Sequence, residues 1–230
     1  MSCLALPILR RRPGRAVARA IALGLGPALA LGASVAQAHP HVFIDTGLRV
    51  ETDAEGRITG IEVSWTYDEL TTMLVFDDMR LDQDYTGTLT EDELRQLDGF
   101  DLNWVDGFEG DVYAEQEGRG LALGPPEGRG VSVSDARITT RHFRPLSSDA
   151  GAPGLPLILR AYDPTYFVAY DLQGGVSVPE GCQVSITPAD LDRAYTMVEE
   201  ALYGQPSTGT YDFPEIGEAF ADKVVVQCDR

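Results

Sequence analysis

The segment from residue 82 to residue 93 reads DQDYTGTLTEDE and has the spacing of a calcium-binding EF-hand loop. Such a loop takes its ligands from positions 1, 3, 5, 7, 9 and 12, and it needs a glycine at position 6 for its sharp turn. Gly87 occupies position 6, and the ligand positions carry Asp82, Asp84, Thr86, Thr88, Thr90 and Glu93. The sequence therefore predicts a calcium site in this loop.

Hard oxygen ligands are what calcium prefers. Asp82 and Asp84 would supply carboxylates, Thr88 its backbone carbonyl, and Glu93 a bidentate carboxylate from the start of the next helix. Thr86 departs from the strict pattern, because Asp or Asn is usual at position 5 and a hydroxyl is a weaker ligand. The alternative interpretation is an acidic turn between two helices that binds no ion.

The first 38 residues have the organisation of a secretory signal peptide. Five arginines lie within residues 10–19, an apolar run covers residues 20–35, and Ala36-Gln37-Ala38 is a small-x-small cleavage signal. The apolar run is short for a bilayer span and is interrupted by glycine and proline. We therefore expect export to the periplasm, cleavage after Ala38, and a mature chain without a transmembrane segment.

Cleavage at that point would place a free α-amine and two imidazoles within three residues, at His39 and His41. Residues i and i+2 of a strand point to the same side, so both rings can reach one ion. Imidazole and amine nitrogens suit zinc, nickel or copper. The alternative is a solvated terminus that binds nothing.

His142 is the remaining histidine of the chain and a candidate third ligand for that ion. Asp45 and Asp163 are further candidates that would offer oxygen. We expect a transition-metal site formed by His39, His41 and His142. The alternative for His142 is an ordinary polar residue of a strand.

The formal net charge of the chain is −18, which favours cations and basic partners over nucleic acid and anionic lipid. Cys3 would leave with the signal, so Cys182 and Cys228 would most simply form one disulfide in an oxidising compartment. The sequence contains no HExxH, no GxSxG, no phosphate-binding glycine-rich loop and no cysteine–histidine dyad. We therefore expect a protein that is not an enzyme and does not bind nucleic acid.

The elements that must position these residues follow from the hydrophobic pattern. Residues 42–67 alternate around a turn and predict a β-hairpin. Residues 68–81 have helical spacing, and residues 91–97 predict a second helix, so the calcium-like loop lies in an insertion at about 69–99. Short strand candidates follow up to residue 170.

The end of the chain predicts a helix over residues 188–203, with Pro188 at the first helical position. A short helix over 215–222 and a last strand over 224–228 follow. Residues 39–230 are therefore expected to form one α+β domain. It would be mainly antiparallel sheet, with an EF-hand-like helix–loop–helix excursion and a C-terminal helix.

Several strings of this sequence occur together in one known family. They are HPHVFID at 39–45, VSWTYDE at 63–69, the acidic helix–loop–helix near residue 82, YDPTYFVAY at 162–170, and Cys182 with Cys228. In these strings the chain resembles an uncharacterised family of periplasmic proteins, often labelled the periplasmic component of an uncharacterised ABC-type transport system. The resemblance covers nearly all of the mature chain. Members of this family commonly have Asp or Asn where this chain has Thr86.

The resemblance implies a role beside membrane transporters for divalent transition metals such as nickel, cobalt or zinc. Together with the residues above, it favours a periplasmic metal-binding accessory protein that supplies or buffers such a metal for a transporter. The alternative is a calcium-stabilised interaction module outside the cytoplasm that has no transition-metal function. A copper oxidoreductase that uses the terminal histidine is a third hypothesis.

Overall fold

Alternation of apolar and polar residues from Val42 onward produces the first two strands, which pair antiparallel as predicted. The structure is a computed structural model and describes residues 40–147, 154–203 and 214–228. The predicted signal peptide, its cleavage site and His39 lie outside the described residues.

Along the chain, the elements are β1 (Val42–Thr52), β2 (Ile58–Tyr67), α1 (Glu69–Met79), α2 (Glu91–Leu97), β3 (Val112–Gln116), β4 (Arg119–Leu121), β5 (Glu127–Ser134), β6 (Arg137–Pro145), β7 (Leu157–Ala161), β8 (Val168–Ser177), β9 (Cys182–Thr187), α3 (Leu191–Leu202), a 3-10 turn (Gly217–Phe220) and β10 (Lys223–Cys228). No helix of the described part of the chain is long and apolar enough to cross a membrane.

The strands form two five-stranded sheets within one compact unit, Ala38–Arg230. The first sheet has the order β5-β6-β2-β1-β8, and the second has the order β4-β3-β7-β10-β9. Among the strand pairs of the described residues, β1 with β8 is the parallel one and the others are antiparallel. The predicted α+β class with mainly antiparallel sheet is confirmed.

One hydrophobic cluster joins the inner faces of both sheets. The first sheet contributes residues such as Ile61 and Val63, and the second contributes residues such as Leu159 and Val224, all of them fully buried. Alternate residues of each strand enter this cluster because successive side chains point to opposite faces of a sheet. The core therefore lies between the two layers.

Two helices are present where the sequence predicts them: α1 ends shortly before Asp82, and α2 begins at Glu91, within the segment 82–93. Asp68 caps α1, because its Oδ1 accepts a 2.8 Å hydrogen bond from the Thr71 amide. The helix ends at Arg80, whose φ of 57° is left-handed. α2 begins with a reciprocal capping box between Thr90 and Glu93. The loop is therefore held at each end by a defined helix terminus.

The C-terminal helix is present, but its predicted start at Pro188 is wrong. α3 begins at Leu191, because Asp190 accepts a 3.1 Å hydrogen bond from the Arg193 amide and acts as the N-cap. The amide of Ala189 donates instead to Asp222, at 3.0 Å, which holds the preceding residues outside the helix.

The predicted disulfide between Cys182 and Cys228 is present. The two cysteines are directly opposite each other where β9 pairs with β10. The bond therefore fastens the edge strand of the second sheet to its neighbour.

Candidate metal-binding sites

Asp82 opens the loop and turns its carboxylate over the residues that follow. Its Oδ1 accepts a 2.8 Å hydrogen bond from the Thr86 amide, and its Oδ2 accepts a 3.0 Å bond from the Gly87 amide. Gly87 has a φ of 71°, in the left-handed region that favours glycine. Desolvation acts to raise the pKa of Asp82, but these hydrogen bonds outweigh it and lower the pKa. The carboxylate is therefore held in its ionised form.

The hydroxyl of Thr86 lies among the other predicted ligands. Its Oγ1 is 3.2 Å from Asp82 Oδ1, 3.3 Å from Asp84 Oδ1 and 3.2 Å from the carbonyl oxygen of Thr88. A hydroxyl has a single hydrogen, so it can donate to only one of these oxygens at a time. Oxygens of Asp82, Asp84 and Thr88, at loop positions 1, 3 and 7, thus all lie close to the Thr86 hydroxyl oxygen at position 5.

Glu93 links the end of the loop to its beginning. Its Oε1 accepts a 2.9 Å hydrogen bond from the Asp82 amide, and its Oε2 accepts bonds of 2.8 and 2.7 Å from the amide and hydroxyl of Thr90. The Thr90 amide, followed by the Thr90 hydroxyl, lowers the pKa of Glu93. The Glu93 carboxylate is therefore ionised, and it accepts hydrogen bonds from backbone amides at both ends of the loop.

The donor set of the loop is mixed rather than purely acidic. Among the described residues, no three His, Cys, Asp or Glu side chains form a group that could hold a metal ion. A cation in this loop would depend on the Thr86 hydroxyl and the Thr88 carbonyl beside the carboxylates of Asp82, Asp84 and Glu93. Oxygen donors of this kind fit calcium and do not fit a soft transition metal.

His41 lies on the surface, immediately before β1. Its amide donates a 2.8 Å hydrogen bond to the carbonyl oxygen of Phe167, and the two rings are 4.8 Å apart. The backbone at His41 is thus fixed to the segment that enters β8. An exposed imidazole on a fixed backbone can reach an ion from solvent.

His142 lies in the core on β6 and has no solvent exposure. Its ring centroid is 4.7 Å from that of Trp65 and 5.7 Å from that of Trp104. Within the described structure neither ring nitrogen has a hydrogen-bond partner. Burial, followed by the charge of Arg144, lowers the pKa of His142 to about 4. The imidazole is therefore neutral at physiological pH.

The structure does not bring His41 and His142 together. His142 pairs with Val63, and Val63 pairs with Leu48 on β1. Leu48 is seven residues from His41, a distance of roughly 23 Å along a strand at about 3.3 Å per residue. An odd number of residues also places the two side chains on opposite faces of the sheet. A single ion cannot bind both rings in this fold.

The two aspartates considered as oxygen ligands have other partners. Asp45 forms an ion pair of 2.7 Å with Arg137. Asp163 accepts hydrogen bonds from the amides of Thr165, at 2.8 Å, and Val168, at 3.0 Å, and so shapes the turn before β8. Both carboxylates therefore have structural roles here.

The sequence does not indicate two carboxyl groups whose pKa is raised by burial, the half-buried Asp101 and the buried Asp111. Asp101 Oδ2 accepts bonds from the hydroxyls of Tyr67, at 2.9 Å, and Thr140, at 2.6 Å, while its Oδ1 has no partner within the described residues. Asp111 Oδ2 accepts a 2.8 Å bond from the hydroxyl of Tyr170. Burial raises the pKa of Asp101, and burial raises that of Asp111 to about 7. Both residues lie in turn-rich segments, where no local pattern marks burial.

The surface contains a pocket of about 810 Å³ near Asp111. Its walls are the loop that follows α2, the segment from β4 to β5, and residues of β3 and β7. Arg144 fixes its walls by donating to the carbonyl oxygens of Gly124, Glu109 and Leu123, and it lies over the Trp104 ring at 4.6 Å. On the other side, Arg160 lies 3.4 Å from Glu115 and 3.5 Å from Glu218. Both arginines that line the pocket are therefore paired with groups of the protein itself.

Comparison with known proteins gives a family without an assigned function. A family model described as "Protein of unknown function (DUF1007)" matches residues 25–228. The chain is also similar to a protein of Haemophilus influenzae named "Uncharacterized protein", with 24% identity over 200 residues. That alignment covers 84% of this chain and 92% of the relative. The similarity therefore extends over most of both chains and names no activity.

Proposed function

We propose that this chain, which belongs to the DUF1007 family of proteins of unknown function, is an exported, non-enzymatic protein that binds calcium in the loop at residues 82–93. The observation that carries the proposal is the clustering of prospective ligand oxygens around Thr86 Oγ1, at 3.2 to 3.3 Å. A calcium ion bound by oxygens at about 2.3–2.6 Å would offset the repulsion between the carboxylates of Asp82 and Asp84.

Calcium in this loop would stabilise the helix–loop–helix as a unit. Asp82 follows α1 closely, and Glu93 lies in the first turn of α2, so an ion bound by both would join the two helices. Outside the cytoplasm even a weak site, with a dissociation constant of about 10⁻⁴–10⁻³ M, can be occupied. Binding to the folded state alone raises stability by mass action. The proposed role is therefore that of a calcium-stabilised module.

The test is the melting temperature of the exported protein with and without calcium. Glu93→Gln preserves the helix cap, because glutamine also serves at that position of a capping box. It removes the charge that calcium needs. Glu91→Gln, on an exposed residue of the same helix turn, is the matched control. We expect calcium to raise the melting temperature of wild type and of Glu91→Gln only; an equal rise in Glu93→Gln would contradict the proposal.

A second candidate function rests on the exposure of His41. Its ring is accessible, and its backbone is anchored to Phe167 at the start of β1. With the chain cleaved after Ala38, the amine and imidazole of His39 would complete a nitrogen ligand set for zinc, nickel, cobalt or copper. In this function the protein would supply or buffer a transition metal for a membrane transporter in the periplasm. His142 takes no part, because it is buried on the opposite face of the sheet.

Calorimetric titration of the correctly processed protein with zinc, nickel and copper tests this second function. His39→Ala and His41→Ala should each weaken binding, and a residual tag before His39 should do the same because it removes the free amine. The matched control is His142→Leu, which should bind the metal as wild type does. Equal affinity of wild type and His41→Ala would reject the site.

A further inference from the structure

Helix α1 is apolar on two opposite faces, and the core covers one of them. Thr72 and Phe76 are buried, with 1% and 8% of their surface exposed. Leu70, Met73 and Leu74 are 59%, 58% and 58% exposed. An exposed group of large apolar side chains rimmed by polar residues is typical of an interaction site.

The exposed residues form one continuous strip. An α-helix turns by about 100° per residue, so residues spaced i, i+3 and i+4 lie side by side. Leu70, Met73 and Leu74 have this spacing and occupy an arc of about 100°. Phe76 and Thr72 lie on the opposite side of the same helix. The exposed strip is therefore a second face of α1 rather than a set of scattered side chains.

Phe43 extends this strip beyond the start of the helix. Its side chain is 54% exposed. Its amide donates a 2.9 Å hydrogen bond to Oδ2 of Asp68, and its carbonyl oxygen accepts a 3.0 Å bond from the Asp68 amide. Asp68 is the N-cap of α1, so Phe43 lies beside the first turn. We call Phe43, Leu70, Met73 and Leu74 the α1 outer face.

The ionisable side chains of α1 itself are all acidic, and the exposed cation next to it in sequence is the C-cap residue Arg80. α1 contains no basic residue, and its acidic residues Glu69, Asp77 and Asp78 are exposed. Asp77 lies on the same side as the apolar strip, one turn further on, while Glu69 and Asp78 flank it. The whole chain carries a formal net charge of −18. Such a rim repels anionic lipid and attracts a basic surface.

We propose that the α1 outer face is a docking site for a basic amphipathic segment of a partner protein. Apolar side chains of that segment would pack on Leu70, Met73 and Leu74, and its lysines or arginines would lie over Asp77, Asp78 and Glu69. An apolar strip inside a rim of one charge is the complement of an amphipathic helix that carries the other charge. The inference goes beyond the proposed function and does not depend on metal binding.

The probe is a synthetic helical peptide with leucines at every third and fourth position and lysines elsewhere, titrated into the exported protein. We expect saturable binding that weakens as salt is added. Replacing all three strip residues with glutamine (Leu70→Gln, Met73→Gln, Leu74→Gln) should weaken binding by about tenfold or more. This variant has the charge of wild type, so the loss would isolate the apolar contact. Equal binding by wild type and this variant would overturn the proposal.

Two control measurements test the specificity of binding, and two assays test for other occupants. A variant with glutamine at three exposed apolar residues elsewhere (Val105, Val184 and Ile186) should bind the peptide as wild type does. A peptide with glutamates in place of lysines should not bind. Sedimentation and vesicle flotation on neutral and anionic lipid complete the set. Self-association, or lipid binding, that is abolished by the strip variant would overturn the proposal in favour of a second copy or a membrane.

Discussion

The hydroxyl of Tyr170 on β8 donates a 2.8 Å hydrogen bond to Oδ2 of Asp111, which immediately precedes β3. The bond connects the two sheets at a buried point, because only 5% of the surface of Asp111 is exposed. Burial raises the pKa of Asp111 to about 7; the bond from Tyr170 opposes this rise, and the charge of Asp163 adds to it. The fold thus contains a carboxyl group that titrates near neutral pH.

Asp111→Asn is expected to make stability less sensitive to alkaline pH. The pKa of Asp111 is about 7 in the folded protein, against an ordinary value of 3.8 for this side chain, so the folded state binds the proton more tightly. Its stabilising contribution is full below about pH 4 and is lost as pH rises through about 7, with a slope of at most about 1.4 kcal/mol per pH unit. Asparagine can still accept from Tyr170 and tolerates the left-handed φ of 52°.

Urea unfolding at about pH 5 and pH 8 measures this effect. The free energy of unfolding of wild type should fall more between the two pH values than that of Asp111→Asn. Asp106→Asn, on an exposed residue of the preceding loop, should behave as wild type. Parallel pH dependence of wild type and Asp111→Asn would show that Asp111 is ionised in the folded state at both values.

His142→Leu is expected to reduce sensitivity to acid. The pKa of His142 is lowered from 6.5 to about 4, so the stabilising effect of keeping this ring neutral is present above about pH 6.5 and is lost as pH falls through about 4. Both ring nitrogens are buried without a partner among the described residues, so an apolar side chain should also stabilise the core at neutral pH, by about 1 kcal/mol.

The measurement is urea unfolding at about pH 5 and pH 7, with His41→Leu as the control on an exposed histidine. Between pH 5 and pH 7, deprotonation of Asp111 lowers the free energy of unfolding as pH rises, whereas deprotonation of His142 raises it. The effect of His142→Leu should therefore also be measured in a protein that already carries Asp111→Asn. A steeper loss of stability in acid for His142→Leu than for wild type would contradict the assignment.

The sequence predicts the elements whose signals are local. Alternation predicts the hairpin of β1 and β2, and helical spacing predicts α1, with α2 expected to follow the calcium-like loop. The sequence does not predict β9, because as an exposed edge strand it depends on pairing with β10 rather than on a buried face. The sequence places the start of α3 too early, because Asp190, and not the segment at Pro188, provides the cap.

The same distinction between local signals and long-range pairing applies to the candidate sites. Ligand spacing within one loop is local, so the oxygens of Asp82, Asp84 and Thr88 could be grouped from the sequence. The separation of His41 from His142 depends on the register of three strands, which no local pattern encodes.

Thr86→Asp is expected to tighten calcium binding. Thr86 Oγ1 already lies 3.2 Å from Asp82 Oδ1 and 3.3 Å from Asp84 Oδ1, so a carboxylate here would add a charged ligand among them. Affinity in such loops rises with ligand charge, and we expect a gain of about tenfold. Without calcium the added charge should lower the melting temperature through repulsion. Calorimetric titration with calcium and melting curves without it check the two parts, with Thr187→Asp on an exposed residue outside the loop as the control; unchanged affinity would contradict position 5 as a ligand.

Removal of the disulfide is expected to destabilise the second sheet. Cys182 and Cys228 are 46 residues apart in sequence, and closing a loop of this length restricts the unfolded chain by roughly 3–4 kcal/mol. Without the bond, β9 would be held to β10 by hydrogen bonds alone, because most of its residues are exposed. Cys182→Ser with Cys228→Ser should therefore lower the free energy of unfolding by about this amount, and wild type treated with dithiothreitol should match the double variant. Amide exchange should increase first in β9 and β10; unchanged exchange and stability would show that strand pairing alone secures this edge.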